Sequence, residues 1–281
     1  MRCVQHGKLV FIGGGNMAAS LIGGLIAQGY PASRIVASDP VAEARTRLAA
    51  QFGVAVTADN RAAVADAEIL VLAVKPQVMA AVVAGLAPAV PPGALVISIA
   101  AGVPVAALAQ LLGPDVAIVR CMPNTPALVR AGATGLYAGA RVSAVQRRRA
   151  ADILGAVGTA VWVASEADID AVTALSGSGP AYFFRVMEAM IAAGVALGLA
   201  PEVAGQLTVQ TALGAARMAL DSDVDVAELR RRVTSPGGTT AAALAVLDGG
   251  GLTELFGRAL AAAAARGREM GAAMLAECPR P

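Results

Sequence analysis

The chain has 281 residues, of which 57% are hydrophobic and 15% charged, with a net charge of +2. So apolar a chain is not disordered, so small a charge gives no electrostatic case for nucleic acid, and the length sets an expectation of two domains at roughly 100–200 residues each.

Arg2 and Lys8 precede the apolar run Leu9-Val10-Phe11-Ile12, which is too short for a secretion signal and is interrupted by glycines. His6 reads as a solvated residue near the start of the chain. The first half then alternates strands with helices or loops. Strands are expected at Lys8–Gly13, Arg34–Ser38, Gly53–Val56, Ile69–Val74, Ala94–Ile99, Val116–Arg120, Thr134–Tyr137 and Ala160–Val163, with a helix over Met17–Gln28. This spacing predicts βαβ units and a mostly parallel sheet. Mean hydropathy is +0.65, yet no membrane partner is expected. The uncharged stretch Leu9–Ser33 opens on a glycine turn, and prolines from Pro76 to Pro114 break the other long one.

The texture changes near Ser165, after which no strand is expected. Ser165 to Asp168, Pro201-Glu202 and Asp225 to Glu228 read as helix starts, and Leu252–Ala276 as a long helix. The expected division is 1–164, a dinucleotide-binding domain, and 165–281, an all-helical domain. Helices this rich in Ala and Gly and apolar on most sides need partners, and a second copy of the chain is the simplest supply. Cys3, Cys121 and Cys278 are odd in number and far apart, which suggests reduced cytosolic thiols and no metal site. A cytoplasmic location is expected.

Three groups of residues carry chemistry. The first is Gly13-Gly14-Gly15-Asn16-Met17-Ala18, between the first strand and its helix. Gly13 allows a tight turn, Gly15 admits a pyrophosphate to the backbone, and Ala18 lets the helix pack closely. Asp39 ends the second strand, where an acid would hold a ribose 2′-hydroxyl; an ordinary Asp-Pro turn is the alternative. The second group is the set of strand ends "LAVKPQ", "ISIAAG" and "VRCMPNTP", lying along one edge where ligands of open α/β sheets bind. They contain Ala73, Val74, Lys75, Pro76, Ala100 and Ala101. The third is Ser235-Pro236-Gly237-Gly238-Thr239-Thr240 at the head of a helix. Its N–H groups and hydroxyls could cradle a carboxylate without a cation, or merely close one helix and cap the next.

Absences matter too. Lys8 and Lys75 are the only lysines and His6 the only histidine, so a charged acid–base of the kind used on alcohols and carbonyls is missing beyond the glycine-rich first half. Reduction of a C=N bond needs positioning more than proton transfer, because a protonated imine already accepts hydride. A 3-hydroxy-acid dehydrogenase and a non-catalytic coenzyme-binding regulator are the other readings.

The segments "FIGGGNMA", "LAVKPQ", "RCMPNTP", "LSGSGPAYFF" and "VTSPGGTTAAAL", in this order, carry a resemblance over nearly the whole chain. The chain resembles the pyrroline-5-carboxylate reductase family. The resemblance implies an α/β chain with a Rossmann-like N-terminal domain followed by an all-helical dimerisation domain. It implies reduction of L-1-pyrroline-5-carboxylate, a cyclic imino acid, to L-proline with NADPH or NADH. Homodimers, often built into decamers, are implied as well. By resemblance Ser235, Gly237, Gly238 and Thr239 hold the substrate carboxylate, the Thr240 hydroxyl meets the ring nitrogen, and Asp223 falls where some members carry a glutamate. Gly13 to Ala18, Ser38, Asn60, Lys75, Ala100 and Ala101 fall at coenzyme-lining positions. Asp39 departs from members that favour NADPH; Ser38, Asn60 and Arg45 could still accommodate a 2′-phosphate.

Overall fold

The computed structural model describes residues 7–277; Arg2, Cys3, His6 and Cys278, weighed above, lie outside them. Strands β1 (Leu9–Ile12), β2 (Ile35–Ser38), β3 (Ala55–Thr57), β4 (Ile69–Leu72), β5 (Leu95–Ser98), β6 (Ala117–Met122), β7 (Gly132–Ala138) and β8 (Gly158–Trp162) form one eight-stranded sheet. Its order is β3-β2-β1-β4-β5-β6-β7-β8. Neighbours are parallel except β6 and β7, which run antiparallel. The mostly parallel sheet is as expected, with strand ends shifted by a residue or two. The reversal at β6–β7 has a local cause. Only Pro123–Ala131, with a 3₁₀ turn at Thr125–Val129, joins them, which is too short for the crossover that a parallel pair requires.

Helices α1 (Asn16–Ala27), α2 (Ala42–Phe52), α3 (Asn60–Val64), α4 (Pro76–Leu86), α5 (Val105–Leu112) and α6 (Ala144–Gly155) alternate with these strands. The runs LVFI of β1 and ILVL of β4 are buried throughout, as strands covered on both faces must be. Successive side chains point to opposite faces, so Leu9 and Phe11 join one core with Leu21, Ile22 and Leu48. Val10 and Ile12 join the other with Val83, Leu86 and Leu108.

The described residues divide into two compact units, one running to Ser178 and taking in Ala262–Glu277, the other Gly179–Ala261. The first unit also holds α7 (Asp168–Val172) and a π-helical turn over Thr173–Gly177. The helix expected from Ser165 starts three residues later, and only half of its capping arrangement forms. The Asp168 carboxylate accepts from the Ser165 N–H (2.8 Å), while no side chain caps the helix itself. That hydrogen bond holds the Asp168 carboxyl below its ordinary range. Buried Arg120 on β6 pins α7, donating to Glu166 (3.1 Å) and Asp170 (3.2 Å). Glu166 also accepts from the Val105 N–H at the start of α5 (2.7 Å).

The second unit is helical: α8 (Gly179–Ala196), α9 (Pro201–Leu220), α10 (Val226–Arg232), α11 (Thr239–Gly249) and the first part of α12 (Leu252–Glu277). Pro201 occupies the first turn of α9, where its missing N–H costs nothing. Asp225 caps α10 through the Glu228 N–H (2.8 Å), as expected. Among this unit's described residues Ala204 is the only buried hydrophobic side chain, whereas Leu197 is 88% and Leu220 81% exposed. The last part of α12 belongs to the first unit, where Met274 is buried in the core containing Val10 and Ile12.

Candidate functional site

The glycine loop follows β1, at the point where the sheet order turns outward to β2 on one side and β4 on the other. Gly13 has a φ of 103°, and a Cβ there would lie 2.6 Å from the Ala73 carbonyl oxygen, so a side chain is barred by both backbone and space. Gly15 precedes α1, no side chain caps that helix, and a Cβ on Gly15 would meet nothing within 4 Å. Asn16 is exposed, Met17 is half-buried and Ala18 is buried under the helix. An open space before an uncapped helix N-terminus fits a pyrophosphate, which the free N–H groups and the helix dipole favour.

The strand-end residues share this edge because β1, β4, β5 and β6 are parallel. Ala73 and Val74 follow β4, Lys75 is exposed immediately before α4, and Pro76 is its first residue. Ala100 is buried and Ala101 half-buried beyond β5. On the β2 side, buried Ser38 donates to the Asn60 side-chain oxygen (2.6 Å). The Asp39 carboxylate accepts from the Gly14 N–H (2.7 Å) and the Val41 N–H (2.8 Å). Arg47, which the sequence did not single out, donates to the Gly14 carbonyl (2.9 Å). The bond joins α2 to the loop after β1, and a contact between separate elements leaves no local signal in the sequence. A further tie joins two of the sequence motifs. Asn124 donates to the Ser176 carbonyl (3.0 Å) in the π-helical turn and accepts from the Ala133 N–H (2.9 Å).

The late loop lies in the second unit. Gly237 has a φ of 69°, which favours glycine, and a Cβ on Gly238 would meet the Ser235 hydroxyl oxygen at 2.5 Å, which would force that side chain to turn. The Gly238 N–H closes the turn on the Ser235 carbonyl (3.1 Å). Gly238 precedes α11, Thr239 and Thr240 form its first turn, and no side chain caps it. Its N–H groups therefore remain open to an anion. Ser235 and Thr239 are exposed and Thr240 is half-buried. Asp223 is exposed in the bend between α9 and α10.

Among the described residues no group of three or more His, Cys, Asp and Glu is placed to hold a metal, and no helix is long and apolar enough to cross a membrane. Cys121 is buried and its thiol is pushed well above the ordinary range by that burial.

A Rossmann-like sheet with an uncapped helix start beside its glycine loop, followed by a helical unit with exposed apolar side chains, defines the class of dinucleotide-dependent oxidoreductases. Residues 8–102 match the family described as NADP oxidoreductase coenzyme F420-dependent, and residues 166–270 match pyrroline-5-carboxylate reductase dimerisation. The chain is 59% identical over 263 residues to the pyrroline-5-carboxylate reductase of Pseudomonas aeruginosa, covering 94% of this chain and 96% of that one. The solved structure of the Coxiella burnetii pyrroline-5-carboxylate reductase superposes with a TM-score of 0.92 at 47% identity, covering 95% and 99% of the two chains. That of the Plasmodium falciparum enzyme, with NADP bound, has a TM-score of 0.83 at 30% identity, covering 95% and 99%. The chain belongs to the pyrroline-5-carboxylate reductase family.

Proposed function

We propose that this chain reduces the C=N bond of L-1-pyrroline-5-carboxylate to give L-proline, the final step of proline biosynthesis, with NADPH or NADH. The observation that carries the reading is the pair of uncapped, glycine-shaped helix starts, one at α1 and one at α11. The first suits a pyrophosphate and the second a carboxylate. In this reading residues 1–164 bind the coenzyme and residues 165–281 bind substrate and dimerise.

The bound reduced nicotinamide supplies the hydride that adds to the imine carbon. Gly15 and the first turn of α1 hold the coenzyme's phosphates, Gly14 lines the loop with its N–H bonded to Asp39, and Ala73 to Pro76 with Ala100 and Ala101 wall the site. Ser235, Gly237, Gly238 and Thr239 grip the substrate carboxylate through N–H groups and hydroxyls. The Thr240 hydroxyl orients the ring nitrogen, which carries the proton that makes the imine an acceptor. Asp223, an exposed acid in the same unit, acts on the approach of the cationic imine. The helical faces left open by one chain are covered by a second copy, in a dimer or a decamer of such dimers, working in the cytoplasm.

The test is the loss of nicotinamide absorbance when pyrroline-5-carboxylate is added. Thr240→Ala should lower kcat by about 100-fold, a typical loss for a hydrogen-bonding group at the reacting centre, with coenzyme affinity unchanged. Full activity in that variant would remove Thr240 from its role, and no turnover of the substrate by the native chain would end the reading.

A further inference from the structure

The end of β2 holds an acid whose carboxylate is bonded only to backbone groups. Both oxygens of the Asp39 carboxylate are engaged by backbone, one by Gly14 N–H at 2.7 Å and the other by Val41 N–H at 2.8 Å. These bonds fix the charge against the glycine loop, and each oxygen keeps a lone pair for a further donor. Two arginines lie nearby, and both point elsewhere. Arg45 donates to the Asp39 carbonyl (2.7 Å) and the Pro40 carbonyl (2.9 Å), and Arg47 to the Gly14 carbonyl (2.9 Å). Neither is ion-paired with the Asp39 carboxylate. Ser38 and Asn60, the neutral groups beside it, already bond each other at 2.6 Å.

We propose that Asp39 sets coenzyme choice and makes this chain select NADH over NADPH. The inference rests on the nicotinamide reading above. A ribose 2′-hydroxyl is a donor that suits the remaining lone pairs of a fixed carboxylate. A 2′-phosphate at that place is an anion facing an anion. Relief would require Arg45 to leave two carbonyls. The Gly14 N–H bond prevents the carboxylate from simply swinging away, because the loop that carries the pyrophosphate would lose its anchor.

The experiment is equilibrium binding to the full chain, by calorimetry, of ADP-ribose and of its 2′-phosphate, with NADH and NADPH fluorescence in parallel. The native chain should bind the unphosphorylated ligand at least about tenfold more tightly, the gap expected of a partly solvated like-charge contact. Asp39→Asn keeps an acceptor for Gly14 N–H and removes the charge, and should close most of that gap. Asp39→Ser should reverse it. Raising ionic strength should narrow the gap in the native chain by screening, a readout that needs no variant to fold. Equal binding of the two ligands by the native chain, or a ratio unmoved by both Asp39→Asn and salt, overturns the choice assigned to Asp39. Binding of neither ligand overturns the nicotinamide reading itself.

Discussion

The two compact units treat apolar side chains in opposite ways. In the first, Leu9, Phe11, Leu70 and Leu95 are sealed within the sheet and its helices. In the second, Phe183 is 68% exposed, and Leu207, Leu213 and Val246 are also open. The first is a finished core. The second is half of one, with a surface composition that belongs inside an oligomer interface. The same chain thus contains a part whose apolar side chains are buried by its own contacts and a part, within the region that matches a dimerisation family, whose apolar side chains stay open.

The largest effect should come from charging the open faces. Phe183→Asp or Leu213→Asp should weaken self-association by about 100-fold or more, since a buried unpaired charge is strongly penalised. Light scattering would show the mass falling toward that of one chain. A dimer unaffected by either change would break the contrast between the units. Next is a truncation in the closed core. Leu70→Ala should cost about 2–5 kcal/mol in denaturant unfolding, with no change in self-association. The smallest effect concerns Tyr30, whose hydroxyl donates to the Gly7 carbonyl (2.6 Å). Burial and, to a lesser degree, Glu68 push its pKa from 10 up to about 12. The neutral phenol is the form the fold prefers, so its contribution is complete below pH 10 and is lost as pH rises from 10 toward 12. Tyr30→Phe should cost about 1 kcal/mol at neutral pH and flatten that part of the alkaline loss. Identical alkaline unfolding in both proteins would remove Tyr30 from the account.

Sequence periodicity placed β1, β4 and β5 because buried parallel strands are short, continuous apolar runs; half-exposed β3 and β8 showed through β-branched residues and spacing. It could not place β7 against β6, since the reversal follows from the length of a connection and not from the composition of either strand. The glycine loop was legible because steric demands admit few residues at Gly13 and Gly15. The Ser235–Thr240 loop was legible as a helix start but ambiguous in purpose, for capping and anion binding use the same residue types. Asp39 was found by position, yet its grip on Gly14 was not, because a contact between residues on separate elements has no local signature. The same holds for Asn124 and Ser176. Ser165 misled because a capping pattern can be satisfied by its acid alone.

α12 closes a loop in the order of synthesis. Met274 fills the core beneath β1, and the Gly102 turn leaves room for Met270, whose Cβ would stand 3.0 Å from any Cβ there. The nucleotide-binding half is therefore sealed by residues that leave the ribosome long after its sheet. Nascent chains halted before Ala262 would carry every strand of the sheet and lack the Met274 side chain that its core contains.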